Sequence, residues 1–371
     1  MVRRAPVARE TGLALEPGPT GERKGRLNVS VPEILYLNKQ EVLEAGGEDM
    51  TKAVNAVEHV FECFARGDAV VPSKTVLRWG GTDSERDKGR INAMPGYLGG
   101  RYDLAGIKWI GSHPPNLARN LPRASALIIL NDPDTKFPIA VLEGSVISAM
   151  RTGAVTGVAA KYLSRTDSVR VGIIGASVQS RTQLMAIQVA RPGIREVAVH
   201  DLDQERAARF ASAMAAQLGL EAFAVATAEE AVRGADIFVT ATTASQPIVK
   251  EAWAEPGSFY AQVGGYEADV ELLLRSDKLV VDNWSEVLHR GLATPCVAIR
   301  EGRYDEGQLH AELGQIVIGR LPGRENDAER IFFNSVGMGI EDVACSAEVL
   351  WEARRLGIGR TLPLWGDGGA T

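Results

Sequence analysis

The sequence predicts an α/β protein in which a doubly wound parallel sheet forms the second half of the chain and a mixed α/β domain precedes it. In the second half, apolar runs that begin near residues 169, 196, 235 and 278 alternate with helical stretches, an arrangement typical of parallel sheets. Between residues 70 and 131 the apolar runs are short and separated by glycine and proline, which favours a mixed sheet. A chain of 371 residues is long enough for two such domains.

A small-residue turn after the first of these runs predicts dinucleotide binding. The segment GASVQS (175–180) opens a helix, with serines where the second and third glycines of the G-x-G-x-x-G fingerprint stand. An ordinary βα turn without a ligand is the alternative. Asp201 ends the next predicted strand and can accept ribose hydroxyls; it repels a 2′-phosphate, and no arginine follows it immediately, which favours NAD. The predicted NAD-binding residues of this domain are Gly175, Ala176, Ser177, Val178, Gln179, Asp201, Thr242 and Thr243.

These patterns divide the chain into four parts. Glycine, proline and charged residues fill 16–26, which predicts a flexible tail. Residues 50–67 form an amphipathic helical pattern, and the alanine-rich residues 143–165 predict a helix that bridges the two domains. The predicted parts are a tail at 1–33, a first domain at 34–150, a Rossmann domain at 151–340 and a C-terminal helix at 341–371 that returns to the first domain.

Composition excludes several classes of partner. The net charge of −6 gives no general electrostatic reason to bind nucleic acid or an anionic membrane. No apolar run is long enough for a membrane span, and the N-terminus lacks the apolar core of a signal peptide. Three distant cysteines without a C-x-x-C pair predict neither a disulfide nor a zinc site, and the histidines lack metal-ligand spacing. We therefore expect a cytoplasmic protein without a metal.

Cations recur at or beside the ends of predicted strands in the first domain and on the bridging helix. Lys108 lies inside GIKWIG, where a buried charge needs an anion. Arg151 lies among small residues, and its guanidinium suits a carboxylate. With no acidic partner evident, we predict both as clamps for a substrate carboxylate, and solvated surface charges are the alternative. The predicted substrate-binding residues are Lys74, Arg78, Arg90, Lys108 and Arg151.

Four segments together resemble the ornithine cyclodeaminase/μ-crystallin family of NAD(P)-dependent enzymes, over residues 34–365. They are GIKWIG, ASALIILNDPDTKFPIAVLEGSVISAMRTGAV, GIIGASVQS and SVGMGIEDVA. The resemblance implies a first domain that binds substrate and forms a homodimer, followed by a Rossmann domain. It matches Lys74, Lys108 and Arg151 to positions that hold substrate carboxylates, with Lys108 also a candidate catalytic residue. It places the loop at 335–339, including Gly337 and Met338, against the nicotinamide.

The segments ILYLNKQEVLEAGG, INAMPGYLGG and LHAELGQIVIGRLPGREND resemble the branch of this family that makes L-2,3-diaminopropionate. That resemblance implies NAD-dependent cleavage of N-(2-amino-2-carboxyethyl)-L-glutamate, a tricarboxylate, to L-2,3-diaminopropionate and 2-oxoglutarate. Cyclodeaminases carry G-G-D where this chain has GGYE (264–267). Glu267 aligns with the acidic residue of the branch and can act as the acid/base; alternatively it is a surface charge, and Asp269 or water does the work.

Three other activities stay open from the sequence. An ornithine or lysine cyclodeaminase would return the hydride to its substrate and release ammonia. A nucleotide-binding protein without turnover would follow if Ser177 and Ser180 weaken the cofactor turn. Another imine or opine-type amino acid dehydrogenase would use the same cofactor on a different conjugate. In each enzymatic case, the expected partner is a small amino acid substrate.

Overall fold

The computed structural model of this protein describes residues 33–81 and 84–365. The tail predicted at residues 1–33 lies outside the described residues except for Glu33, as do residues 366–371. Within the described part of the chain, no helix combines the length and the apolar character needed to cross a membrane.

The first domain is a mixed sheet covered by helices, as the short apolar runs predict. Its strands are mostly paired antiparallel, and β1 runs parallel to β7. The strands are β1 (Glu33–Leu37), β2 (Ala69–Val70), β3 (Thr75–Leu77), β4 (Arg90–Leu98), β5 (Leu104–Ser112), β6 (Ala124–Asn131) and β7 (Pro138–Glu143). The helices are α1 (Lys39–Glu44), α2 (Met50–Arg66) and α3 (Ser145–Leu163).

The second domain contains the predicted doubly wound sheet. Its eight described strands are all parallel and follow the order β10-β9-β8-β11-β12-β15-β13-β14. The strands are β8 (Arg170–Ile174), β9 (Glu196–His200), β10 (Glu221–Ala224), β11 (Ile237–Thr240), β12 (Phe259–Gln262), β13 (Lys278–Val281), β14 (Ala311–Glu312) and β15 (Ile331–Asn334). The helices are α4 (Val178–Ala190), α5 (Gln204–Leu218), α6 (Ala228–Val232), α7 (Val270–Leu274), α8 (Trp284–Arg290), α9 (Thr294–Arg300) and α10 (Leu313–Val317).

The end of the chain returns to the first domain. Helix α11 (Gly339–Leu356) packs on α2, β4 and β5, and strand β16 (Arg360–Pro363) pairs antiparallel with β1. Strand β16 was not predicted. It completes a first sheet of order β16-β1-β7-β6-β5-β4-β2, with β3 also paired to β4. The return of α11 brings residues after the Rossmann domain under the first sheet.

Helix α3 follows β7 of the first sheet and precedes β8 of the second, and it matches the helix predicted at residues 143–165. It packs on both α2 and α4, so that nearly all of its residues are buried. A Cβ at Gly153 would overlap the Thr182 backbone, and one at Gly157 would lie 2.9 Å from the Ala186 Cβ. Small residues therefore let α3 approach α4 closely. Arg151 consequently lies at the boundary between the domains.

Candidate active site

The carboxyl ends of the Rossmann strands meet at one edge of the sheet, where open α/β sheets bind ligands. The predicted nucleotide turn lies there, directly after β8. Gly175 has φ +98, and a Cβ on it would lie 2.9 Å from Thr242 Cγ2 and 3.0 Å from the Ala241 carbonyl oxygen. Only glycine fits this position without displacing its neighbours.

The two serines of the turn close it with their hydroxyl groups. Ser177 is the N-cap of α4, where its Oγ accepts a hydrogen bond from Ser180 N at 3.2 Å, and Ser180 Oγ donates to the Gly175 carbonyl. Val178 is 68% exposed at this helix end, and Gln179 Oε1 is buried without a hydrogen-bond partner among the described residues. A positively polarised helix end beside exposed apolar surface fits a dinucleotide pyrophosphate and its adjoining ring.

Asp201 lies beside this turn at the end of β9. Its carboxylate accepts hydrogen bonds from Ala176 N at 2.8 Å and Asp203 N at 2.9 Å, and Arg206 Nη2 lies 2.5 Å away. Burial raises the pKa of Asp201, but these hydrogen bonds outweigh burial and leave the pKa lowered. No arginine directly follows Asp201 in the sequence. In the structure, Arg206 contacts it across the first turn of α5 and balances part of its charge.

Glu267 differs from both sequence interpretations. Its side chain is fully buried, so it is not a surface charge. Its carboxylate accepts hydrogen bonds from Thr242 N and Oγ1 at 2.7 and 2.6 Å, and from Thr240 Oγ1 and Gly264 N at 2.8 Å each. With four donors bound, it braces the ends of β11 and β12. The acid/base role predicted for Glu267 does not fit this arrangement.

Three other residues predicted for the site, Asp269, Thr242 and Thr243, lie at the same edge of the sheet. Asp269, the alternative acid/base, is the N-cap of α7 and accepts from Leu272 N at 2.9 Å and Glu251 N at 3.2 Å. Thr242 directs its hydroxyl to Glu267, and Thr243 is exposed. Thr243 is therefore the more exposed of the two threonines, and Thr242 is half-buried.

Lys108 and Arg151 have acidic partners, contrary to the sequence expectation. Lys108 Nζ donates to Ser148 Oγ at 3.1 Å and to Asp342 Oδ1 at 2.9 Å, and it lies 2.8 Å from Asp342 Oδ2. Arg151 Nε lies 3.1 Å from Asp342 Oδ1, and its Nη1 lies 2.7 Å from Glu341 Oε2. Both carboxylates stand on the first turn of α11. Sequence reasoning missed them because they lie about 190 residues beyond Arg151.

Burial moves the pKa values of two members of this ion network, Lys108 and Glu341, toward neutral pH. Burial and the neighbouring Arg151 charge lower the pKa of Lys108 to about 8, despite the attraction of Asp342. Burial raises the pKa of Glu341 to about 7, opposed by Arg151 and assisted by the charges of Asp282 and Asp342. Glu341 Oε1 has no hydrogen-bond partner among the described residues. The network therefore contains groups that can hold or release a proton under physiological conditions.

The loop at 335–338 is clamped between the two domains. Asp282 follows β13, and its Oδ2 accepts hydrogen bonds from Val336 N and Gly337 N at 2.7 Å each. Lys74 Nζ, from the first domain, donates to the Val336 carbonyl at 2.9 Å and the Gly337 carbonyl at 3.4 Å. A Cβ at Gly337 would overlap the Arg151 guanidinium. The predicted nicotinamide loop is thus held directly against Arg151.

The remaining predicted cations lie outside this ion network. Arg90 is half-buried and Arg78 is exposed; within the described residues neither makes an ion pair. Burial lowers the pKa of Arg90, and the nearby charges of Arg290, Arg78 and Arg123 lower it further. Sequence reasoning missed Arg290, because an arginine before a helix-ending glycine is ordinarily a solvated C-terminal cation.

Comparison with known proteins agrees with this architecture. The profile of the ornithine cyclodeaminase/mu-crystallin family matches residues 37–355. The chain belongs to this family. The family identified from the sequence segments is therefore confirmed.

The proteins similar to this chain are named for several different substrates. The chain is 38% identical to N-((2S)-2-amino-2-carboxyethyl)-L-glutamate dehydrogenase of Staphylococcus aureus, over 90% of this chain and 99% of that protein. The structure of Thermococcus litoralis Delta(1)-pyrroline-2-carboxylate reductase in complex with NADH and L-proline has TM-score 0.83 and 38% identity, covering 89% of this chain and 100% of that chain. An archaeal alanine dehydrogenase dimer with bound NAD has TM-score 0.81 and 35% identity, covering 90% and 100%. Equal identity to enzymes with different names leaves the substrate to be argued from the site.

Proposed function

We propose that this protein is an NAD-dependent dehydrogenase that oxidises a CH–NH bond of an amino acid. The observation that carries the proposal is the clamped loop, which brings cations of the first domain to the nucleotide-binding edge of the Rossmann sheet. Lys74 holds the Val336 and Gly337 carbonyls while Arg151 lies against Gly337. The NAD and NADH named in the two similar solved structures support the choice of cofactor.

The residues at this edge fit NAD. With NAD bound, the α4 N-terminus capped by Ser177 would hold the pyrophosphate, and Asp201 beside this turn would accept the ribose hydroxyls. Gly337 and Met338 would lie on the nicotinamide side; Asp282 fixes the Gly337 backbone, and the Met338 side chain is buried. When bound, NAD supplies the acceptor for the hydride that leaves the substrate α-carbon. The protein supplies orientation, because the clamped loop and Arg151 fix where the reacting carbon can lie.

We assign proton transfer to Lys108 rather than to Glu267. A protonated secondary amine must lose one proton, which frees the nitrogen lone pair, before hydride leaves its α-carbon, and a base with a pKa near the working pH serves this step best. Lys108, whose pKa burial lowers to about 8, meets that requirement, and Asp342 holds its ammonium in place. The iminium formed from the substrate then adds water and separates into an oxo acid and an amine.

The proposed substrate is N-(2-amino-2-carboxyethyl)-L-glutamate. Oxidation at the glutamyl α-carbon, followed by hydrolysis, gives 2-oxoglutarate and L-2,3-diaminopropionate with one NADH. Similarity to the Staphylococcus aureus dehydrogenase supports this choice. So does the positive charge around Lys74 and Arg90, which suits a substrate with three carboxylates. Tyr266, at the position of the cyclodeaminase aspartate, disfavours cyclodeamination.

Product analysis tests the proposal. Purified protein incubated with NAD and this conjugate should form NADH and 2-oxoglutarate in equal amounts, measured by absorbance and mass spectrometry. Proline or pipecolate released with ammonia from ornithine or lysine, without net NADH, would instead identify a cyclodeaminase. Tight NAD binding without turnover of any conjugate would overturn the enzymatic assignment.

We also propose a homodimer formed through the outer face of the first sheet. Trp109 on β5 and Leu127 on β6 are register partners and are 43% and 45% exposed. Leu77 on β3 is 41% exposed. Adjacent exposed apolar side chains on a sheet face mark an interaction surface, and one similar solved structure is titled a dimer.

A further inference from the structure

Three cations from separate parts of the chain converge at the domain boundary. Lys74 and Arg90 belong to the first domain, and Arg290 ends α8 in the Rossmann domain. Among the charges that act on Lys74 and on Arg90, that of Arg290 has the largest effect, and it lowers the pKa of both. The three side chains therefore lie within electrostatic range of one another.

The position of α8 explains this convergence. Glu286 is buried on α8, and its Oε2 accepts a hydrogen bond from Lys74 N at 3.5 Å. Arg290 lies four residues later, so it shares the helix face of Glu286 and extends toward the same part of the first domain. The contact between Glu286 and Lys74 thus sets Arg290 at the boundary between the domains.

Carboxylates act on this positive charge only without direct contact: the charges of Asp282 and Glu267 oppose the lowering of the Arg290 pKa by burial, but no ion pair joins them to Arg290 within the described residues. Arg90 and Arg290 are half-buried and make no ion pair within the described part of the chain. Asp282, a neighbouring carboxylate, is fully buried and accepts hydrogen bonds from Asn283 N, Val336 N and Gly337 N. The Lys74 ammonium donates hydrogen bonds to the Val336 and Gly337 carbonyls. Among these three cations, Arg90 and Arg290 therefore have guanidinium donors that no described residue occupies, and partly buried like charges favour an anion there.

We propose that Arg290, together with Arg90, binds the distal carboxylate of the substrate and so selects amino acid conjugates with an acidic side chain over those with an apolar one. The inference rests on the proposed function and deepens it. Guanidinium groups suit this task because each can hold a carboxylate with two parallel hydrogen bonds. Lys108 and Arg151 lie deeper, where Glu341 and Asp342 already balance their charge. Arg90 and Arg290 thus form a second, outer carboxylate subsite.

The chain offers a matched control for Arg290. Arg66 also ends a helix, α2, and is followed by a left-handed glycine, Gly67 with φ +78, just as Arg290 is followed by Gly291 with φ +65. Arg66 is exposed and lies outside the site. Any loss caused only by removing a helix-ending arginine should therefore appear equally in R290Q and R66Q.

Kinetics with two conjugates test the subsite. The substrates are N-(2-amino-2-carboxyethyl)-L-glutamate and its L-alanine counterpart, which lacks the distal carboxylate. R290Q should raise KM for the glutamate conjugate roughly 10- to 100-fold and leave KM for the alanine conjugate within about 2-fold, with NAD affinity unchanged. R90Q should show the same selectivity, and R66Q should show none. Equal losses on both conjugates, or no loss on either, would overturn the subsite.

A binding measurement separates this inference from the proposed function. Calorimetry compares glutarate with butyrate, which differ by one carboxylate, on the protein with NADH present. The wild-type protein should bind glutarate more tightly, and R290Q and R90Q should lose that preference while keeping the wild-type unfolding temperature. If the glutamate conjugate is not oxidised by wild-type protein but the preference is present and lost in the variants, the proposed substrate fails and the subsite stands. Equal binding of both acids by wild-type protein would contradict the subsite whether or not turnover occurs.

Discussion

Lys108 and Arg151 derive their chemistry from carboxylates at the start of α11. Glu341 and Asp342 hold both cations in a nearly solvent-free network, in which Lys108 is 1% exposed. Removing one partner from a buried ion pair costs roughly 3–5 kcal/mol, so this network also fixes α11 beneath the first sheet. The same four residues therefore form the ion network of the proposed substrate site and attach α11 to the first sheet.

The lowered pKa of Lys108 predicts how oxidation depends on pH. Lys108 accepts a proton only when neutral, so kcat/KM for oxidation should rise about 10-fold per pH unit up to about 8 and then level off. K108R keeps the positive charge but does not titrate near pH 8. This variant should therefore lose the rise of kcat/KM with pH and most of the activity. E341Q should keep the rise of kcat/KM with pH. A kcat/KM that is flat or falls between pH 6 and 8 would rule out Lys108 as the base.

Gly337 and Gly219 offer a paired test of the clamped loop. Both have positive φ, +75 and +67, so alanine strains either backbone by roughly 1–2 kcal/mol. Only at Gly337 would the new Cβ overlap Arg151, since no atom of the described residues lies within 4 Å of a Cβ at Gly219. G337A should lower kcat/KM about 100-fold by displacing the guanidinium, and G219A should not. Comparable activity of the two variants, with similar urea-unfolding curves, would contradict the contact between loop and cation.

At the scale of elements, the N-terminus of α4 carries the cofactor prediction. Ser177 caps α4 and Asp203 caps α5 through the same kind of hydrogen bond, and alanine at either costs about 1 kcal/mol. S177A should weaken NAD binding about 5-fold, the equivalent of that energy, because its cap orders the turn at the pyrophosphate. D203A should leave the NAD dissociation constant unchanged. Calorimetry measures the NAD affinity of both variants, and urea unfolding measures their stability. If S177A and D203A bind NAD equally well, Ser177 does not contribute to NAD binding.

The spacing of apolar residues in the sequence predicted where helices lie better than it predicted which elements contact each other. Helices 50–67 and 143–165 are confirmed as Met50–Arg66 and Ser145–Leu163, because apolar spacing and glycine signals act within one helix. Strand β16 was missed because pairing with β1 depends on residues more than 300 positions away. Arg290 was missed because its position in the sequence is that of an ordinary solvated arginine at a helix end. In the sequence it ends a helix just as Arg66 does, and only the docking of α8 on Lys74 distinguishes the two.

At the scale of the whole molecule, the outer face of the first sheet predicts assembly. W109E combined with L127E places two charges on adjacent exposed positions of β5 and β6. In light-scattering measurements the wild-type protein should have the mass of a dimer, and this variant that of a monomer. V169E is the control, since Val169 is also 43% exposed but lies in the Rossmann domain. A variant that stays dimeric would move the interface elsewhere.

The fold and the position of the nucleotide turn could be predicted from the sequence, while the charge balance of the site could not. Lys108 and Arg151 were predicted as buried or ligand-facing because a cation among apolar or small residues needs an anion. That anion comes from α11, which the fold alone brings beneath β5. Glu267 was predicted as an acid/base from its place in GGYE, and the donors that occupy it come from the ends of β11 and β12.

Isotope transfer tests the central claim that the site directs the substrate α-hydrogen to the nicotinamide. The substrate is N-(2-amino-2-carboxyethyl)-L-glutamate with deuterium at the glutamyl α-carbon, oxidised in ordinary water with NAD. We expect one deuterium at C4 of each NADH formed and none in the 2-oxoglutarate, whose former α-carbon is a carbonyl carbon. Deuterium retained on an amino acid product or lost to water, with unlabelled NADH, would contradict it.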